Sequence, residues 1–284
     1  MGESNEAPGI EFWLTLTPGQ VSFGRMIMHS VASSSNSLAR RTPILIVGYF
    51  LSASLGRRGV SEDLTIQLQA SGWDVITTSN KASRGARLVD MLKTIITQRR
   101  NYSIAQVNIY SGPAFLWAAV VCQLLRQLRK PYVLSLHGGN LPVFAARWPN
   151  TVKYILRSAA AVTAPSRYLL EHMSPYRKHV RLVPNGLALD QYAFTLREKP
   201  NPFLVWVRAF HKTYNPLLGL TVATLLRDSF PDLRMIMVGP DEGDGTLEEV
   251  KDLATKSTLD GRITLSGCIS KSEVPTWINK GDIF

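Results

Sequence analysis

Residues Pro43–Leu51 read PILIVGYFL, nine positions with one glycine and no charge. A strand buried on both faces shows a continuous apolar run of this kind, whereas a strand with one wet face alternates. The Gly/Ser/Arg-rich loop Ser52–Gly59 follows. Val60–Ala70 then carries Leu64 and Leu68 on one helical face, with a glycine stop at Gly72.

The same pairing repeats along the chain. Strands are expected at Trp73–Thr77, Ile104–Tyr110, Tyr132–Leu136, Ala160–Ala164 and Arg181–Val183, with helices at Ala86–Thr97 and Ala114–Leu128. After Pro200-Asn201-Pro202 the pattern restarts. Strands are expected at Phe203–Val207, Arg234–Val238 and Ile263–Leu265, and helices at Asn215–Leu226, Leu247–Leu253 and Val274–Ile278. Ser270 and Glu273 have capping-box spacing before the last helix. Asp282-Ile283-Phe284 opens like one more strand. Alternation of this kind predicts an α/β protein with doubly wound parallel sheets, and the restart predicts two of them, over 42–200 and 201–284. Residues 1–41 lack a sustained period and end in the serine-rich Ser33–Ser37 and Arg40-Arg41. They read as a poorly ordered tail, with an organelle-targeting peptide as the alternative because Arg25–Arg41 has no acidic residue.

With 284 residues and 45% hydrophobic content, the chain can bury cores for two medium domains. Cys122 and Cys268 lie far apart in apolar stretches, form neither a C-x-x-C pair nor a metal spacing, and read as buried reduced thiols. No apolar segment reaches the ~18 residues that a transmembrane helix needs. The charge is uneven. Residues 42–200 carry 20 Lys+Arg against 7 Asp+Glu, while 201–284 carry 9 against 11. The positive field therefore belongs to the first domain. It fits either a solvated basic surface or an anionic partner such as a membrane surface. Trp117, Trp148, Trp206 and Trp277 fall in apolar patterns rather than beside basic clusters, so no nucleic-acid partner is expected.

Ligands of open parallel sheets bind at the carboxyl ends of strands, so the loops that follow strands hold the chemistry. Four stand out. Gly48–Gly59 brings glycines to a strand-to-helix turn, where backbone N–H groups can approach a phosphate. His137-Gly138-Gly139-Asn140 places an imidazole at the end of a buried strand, as a ligand contact or a structural histidine. Val183-Pro184-Asn185-Gly186 is first of all a turn. Arg208 and Lys212 bring two cations to a strand's end, where they could neutralise a diphosphate. The sequence contains no D-x-D, H-E-x-x-H or G-x-S-x-G motif.

Taken in order, these loops resemble those of the retaining nucleotide-sugar transferases of glycosyltransferase family 4. The carrying residues are Gly48–Gly59, HGGN at 137–140, AAVTAPSRYLLE at 160–171, VPNGLALDQY at 183–192, LVWVRAFHKTYNP at 204–216, MIMVGPD at 235–241 and ITLSGCISKSEVPTWINKGDIF at 263–284. The resemblance implies a GT-B fold of two Rossmann-like domains, the second incomplete, with the active site between them. It implies a nucleoside-diphosphate sugar donor, a polysaccharide or lipid-linked acceptor, and no metal or other cofactor. By position, Arg208 and Lys212 match the diphosphate-binding pair, Gly56 the glycine loop facing the phosphates, and His137 the histidine of the active site. Gly239 falls on the donor side, and Gly138, Asn140 and Asn185 on the acceptor side. A cytoplasmic location is implied, with a possible peripheral position at the inner face of the membrane. Two departures stand out. The usual Lys-Gly is Lys212-Thr213, and the sequence stops before the paired-glutamate motif that binds donor sugar and ribose. The resemblance therefore implies a C-terminally truncated enzyme of impaired activity. A GT-B nucleotide-sugar epimerase and a non-catalytic remnant are the alternatives.

Overall fold

The computed structural model describes residues 42–55, 58–257, 259 and 261–284. The reading of 1–41 as a tail concerns residues outside those described. The chain divides into two compact units, the first running to Gly186 and the second from Leu187 to Phe284.

The first unit is a six-stranded, wholly parallel sheet. In chain order it contains β1 (Ile44–Tyr49), α1 (Val60–Ala70), β2 (Val75–Ser79), α2 (Arg84–Thr97), β3 (Ile104–Ile109), α3 (Pro113–Gln127), β4 (Tyr132–Leu136), α4 (Leu141–Arg147), α5 (Pro149–Ser158), β5 (Ala161–Ala164), α6 (Arg167–Met173) and β6 (Val180–Leu182). The strands lie in the order β2-β1-β3-β4-β5-β6. The order reverses between β1 and β3, which makes that point the topological switch.

Both faces of this sheet are covered, as the unbroken apolar run in β1 requires. Leu45, Val47, Val107, Leu134 and Val162 pack with residues of α2, α3 and α5 in one cluster. Ile44, Ile46, Ile104 and Val133 pack with Leu68 of α1 in another. The sheet region also buries polar residues, namely Gln106 within β3, His137 just after β4 and Thr163 in β5.

β2 starts two residues later than expected. Gly72 turns the chain at φ 79°, and the Trp73 N–H closes the end of α1 on the Leu68 carbonyl at 3.0 Å. Trp73 therefore caps a helix, and pairing with β1 begins at Val75. Helices α4, α5 and α6 lie where no element was expected. α4 and α5 are short, each with a proline in its first turn, and they meet at Trp148, which ends one and starts the other. α6 is capped by Ser166, whose hydroxyl accepts from the Leu169 N–H at 3.3 Å.

The second unit has a parallel three-stranded sheet in the order β7-β8-β9. It contains β7 (Phe203–Val207), α7 (Pro216–Leu226), β8 (Arg234–Val238), α8 (Thr246–Lys256), β9 (Ile263–Gly267) and α9 (Val274–Ile278). Ile283 forms a parallel bridge with Leu204, as the strand-like Asp282-Ile283-Phe284 suggested. Asp282 draws the Pro200–Pro202 stretch into this unit. Its carboxylate accepts from Arg197 at 2.6 Å and from the Asn201 N–H at 2.7 Å. The Ser270–Glu273 pair forms, with the Ser270 amide and hydroxyl donating to one Glu273 oxygen at 2.9 and 2.6 Å. α9 nevertheless begins one residue after Glu273, so Glu273 rather than Ser270 is its N-cap. Cys122 is buried, but Cys268 is exposed, contrary to the reading of two buried thiols.

Candidate active site

In the first unit, β1 ends against α1 at unusually close range. A Cβ on Gly48 would lie 2.1 Å from the Ser61 hydroxyl oxygen, so only glycine fits there. The following loop is closed by Glu62, the third residue of α1. Its carboxylate accepts from the Gly59 N–H at 2.7 Å and from the Ser52 N–H at 2.9 Å. Those two N–H groups are thus already engaged by a carboxylate. Gly56, the expected phosphate-facing glycine, lies outside the described residues.

His137 sits at the end of β4 with 7% of its surface exposed. Its Nε2 lies 3.1 Å from Asn108 Oδ1, and its ring stacks on Tyr110 with centroids 5.2 Å apart. The Asn108 amide donates to the Ser61 hydroxyl at 2.9 Å, and Gln106 Nε2 donates to Asn108 Oδ1 at 2.6 Å. With Asn108 so oriented, its Oδ1 is the acceptor and His137 Nε2 carries the proton. Nδ1 is then the basic nitrogen of a neutral ring. Burial holds the imidazole pKa down to about 4. None of Ser61, Gln106, Asn108 and Tyr110 was singled out in the sequence. Two polar residues at i and i+2 inside the β3 run were the available signal.

This neutral histidine makes stability depend on pH. The unfolded chain takes up a proton near pH 6.5 and the native ring only near 4, so the contribution is present above 6.5 and is lost as pH falls. Between pH 7.5 and pH 5 the wild type is expected to lose roughly 2 kcal/mol more unfolding free energy than His137→Gln. Urea unfolding of both proteins at the two pH values measures this, and parallel losses would contradict it.

Gly138 follows at φ 87°, a backbone conformation that favours glycine, and Asn140 is the exposed N-cap of α4. Asn185 is exposed on the loop after β6. Its neighbour Gly186 lies so close to Gln67 of α1 that a Cβ there would meet the Gln67 amide nitrogen at 2.1 Å.

In the second unit, the segment after β7 continues the ladder. The Arg208 N–H donates to Val238 at 2.9 Å and the Phe210 N–H to Pro240 at 2.8 Å. Phe210 is fully buried, 5.1 Å from the Trp206 ring. Gly239 allows this approach, since a Cβ there would lie 1.6 Å from the Arg208 carbonyl oxygen. Arg208 is exposed, with its guanidinium 4.5 Å from the Tyr214 ring centroid. Lys212 opens a 3-10 turn, and its N–H donates to Asp244 at 3.0 Å. That bond is the main reason the Asp244 carboxyl is held at about 2. Asp244 also accepts from the Thr246 N–H at 3.1 Å and faces His211 Nε2 at 3.6 Å. Neither the Arg208 guanidinium nor the Lys212 ammonium has a carboxylate partner among the described residues. Also among the described residues, no three His, Cys, Asp or Glu side chains gather as a metal site would need.

Residues 59–191 match the family model described as Glycosyltransferase Family 4. Over that stretch, just under half of its length, the chain is similar to glycosyltransferase family 4. The fold is the GT-B type, as its solved neighbours show. The HepE protein of Anabaena, solved with UDP and glucose, is 14% identical with a TM-score of 0.59, over 81% of this chain and 70% of that one. A glycosyltransferase of Rickettsia africae ESF-5 is 15% identical with a TM-score of 0.53, over 83% and 70%. The catalytic domain of starch synthase IV from Arabidopsis thaliana, bound to ADP and acarbose, is 10% identical with a TM-score of 0.56, over 86% and 77%. No curated protein sequence matches the chain significantly.

Proposed function

We propose that the chain is a glycosyltransferase that moves a sugar from a nucleoside-diphosphate sugar to a polysaccharide or lipid-linked acceptor. The observation that carries the reading is the loop after β7. It presents two exposed cations that have no carboxylate partner among the described residues, on a backbone fixed by Gly239, Phe210 and Asp244. A departing nucleoside diphosphate gains negative charge as the glycosidic bond breaks, and preorganised cations stabilise that charge most in the transition state. Arg208 and Lys212 take this role, with Gly239 fixing the position of the loop and Gly56 belonging to the phosphate side. Residues 201–284 form the donor side. Residues 42–200 form the acceptor side, where His137, Gly138, Asn140 and Asn185 meet the acceptor and its sugar. UDP in HepE and ADP in the starch synthase support a diphosphate ligand for this fold.

The excess of Lys and Arg over 42–200 supports contact with an anionic membrane surface from the cytoplasmic side. Among the described residues, no helix is long and apolar enough to cross a membrane.

The test is the fate of a labelled sugar supplied as its UDP or ADP derivative with lipid and polysaccharide fractions. Label is expected in one of the two fractions. Label recovered only as an epimerised sugar nucleotide would replace this reading with the epimerase one. Label left wholly in the unaltered donor would count against both.

A further inference from the structure

A cavity of about 330 Å³ opens in the first unit at the carboxyl ends of β1 and β3, at the switch point of the sheet. Much of its lining is apolar, with Val47 and Val107 of the strands, Met91 of α2, and Trp117 and Val121 of α3. Arg84, Arg87, Tyr49 and Tyr110 also line it, and among the described residues no acidic side chain does. Neither arginine has a carboxylate partner among the described residues.

Arg87 is held in place. It donates to the Lys81 carbonyl at 2.9 Å and to the Ala82 carbonyl at 2.7 Å, and its guanidinium lies 5.7 Å from the Tyr49 ring centroid. Burial and the adjacent Tyr49 raise the Tyr110 pKa, so its hydroxyl stays a hydrogen-bond donor. Folding has thus placed two uncompensated guanidinium groups beside an apolar hollow. A guanidinium matches a phosphate oxygen pair, and a hollow at the small end of the ligand-pocket range takes a single apolar chain rather than two. Asn108 lines the same cavity and hydrogen-bonds His137, which puts the cavity beside the candidate active site.

We propose that this cavity binds an alkyl or isoprenoid phosphate, with its chain on the apolar lining and its phosphate at Arg84 and Arg87, as the anchoring part of a lipid-linked acceptor. The role as acceptor rests on the transferase reading, whereas the binding does not.

The experiment titrates decyl phosphate, decanol and inorganic phosphate into the full chain, followed by calorimetry and tryptophan fluorescence. Decyl phosphate is expected to bind one to one, and the exposed Arg84→Gln change to weaken it about tenfold. Decanol is expected to bind more weakly and equally to wild type and Arg84→Gln. Ala114→Trp, an exposed position at the cavity wall, is expected to block both, with circular dichroism confirming that each variant is folded. Four results would each overturn the proposal: no binding of decyl phosphate, decanol binding as tightly, Ala114→Trp binding unchanged, or inorganic phosphate binding as well as decyl phosphate. UDP titrated into the same sample separates the two readings. UDP binding without decyl phosphate binding removes only this proposal, and the converse removes only the diphosphate role of the second unit.

Discussion

Replacing Arg208 by alanine is expected to slow sugar transfer about a hundred- to a thousand-fold relative to the wild-type chain, chiefly in kcat. The backbone at Arg208 is held by the ladder to β8, through its N–H to Val238 and the Phe210 N–H to Pro240. The alanine variant therefore keeps the loop and loses only the charge. Ground-state binding of the donor changes less, because the diphosphate gains charge as it leaves. Tyr214→Ala separates the charge from its support. The tyrosine ring stacks on the guanidinium at 4.5 Å, and loss of an exposed cation–π contact removes about 0.5–1 kcal/mol. That corresponds to a several-fold effect rather than a hundred-fold one. Steady-state kinetics of the two variants makes the comparison, and an Arg208→Ala rate near wild type would remove Arg208 from the chemistry.

Gly239→Ala is expected to destabilise the second unit by on the order of 3 kcal/mol or more. The added methyl would stand 1.6 Å from the Arg208 carbonyl oxygen and 2.5 Å from its carbonyl carbon. Both are backbone atoms, so no rotamer change relieves the overlap. One of the two strand ends must move, and either movement breaks the pairing of Arg208 with Val238 or of Gly239 with Gly267. Urea unfolding is expected to show a lower midpoint for the second unit while the first unit's transition stays in place. Gly239→Ala with wild-type stability would mean that the loop after β7 is looser than these contacts require.

The strands and the site were legible to different depths. β4, β7 and β8, together with α1 and α9, fall on the residues expected from the sequence, because each is an apolar run or stripe bounded by glycine, proline or charge. β2 was misplaced because Trp73 is apolar, yet its N–H is engaged by the end of α1. α4 and α6 have seven residues each, too few for a period to show against flanking prolines and glycines. α5 did carry a signal, since Val152, Ile155 and Leu156 are buried at helical spacing. Among the candidate site residues, His137, Arg208 and Lys212 stand out in the sequence because they follow strands. Their fixing partners do not. Asn108 reaches Ser61 across 47 residues, and Asp244 reaches Lys212 across 32, separations at which one sequence carries no pairing signal. Gly239 reads as a donor-side residue in the sequence, and what the geometry shows of it is the close approach of two strand ends.

The central claim is that the loop carrying Arg208 and Lys212 holds a nucleoside diphosphate. Phosphorus NMR of UDP titrated with the folded chain tests it most directly, with wild type set against an Arg208→Ala, Lys212→Ala double variant. Both phosphorus resonances are expected to shift and broaden with wild type, and to keep their free positions with the double variant at the same concentration. Resonances that stay unmoved with wild type, or that move equally with both proteins, would contradict the account.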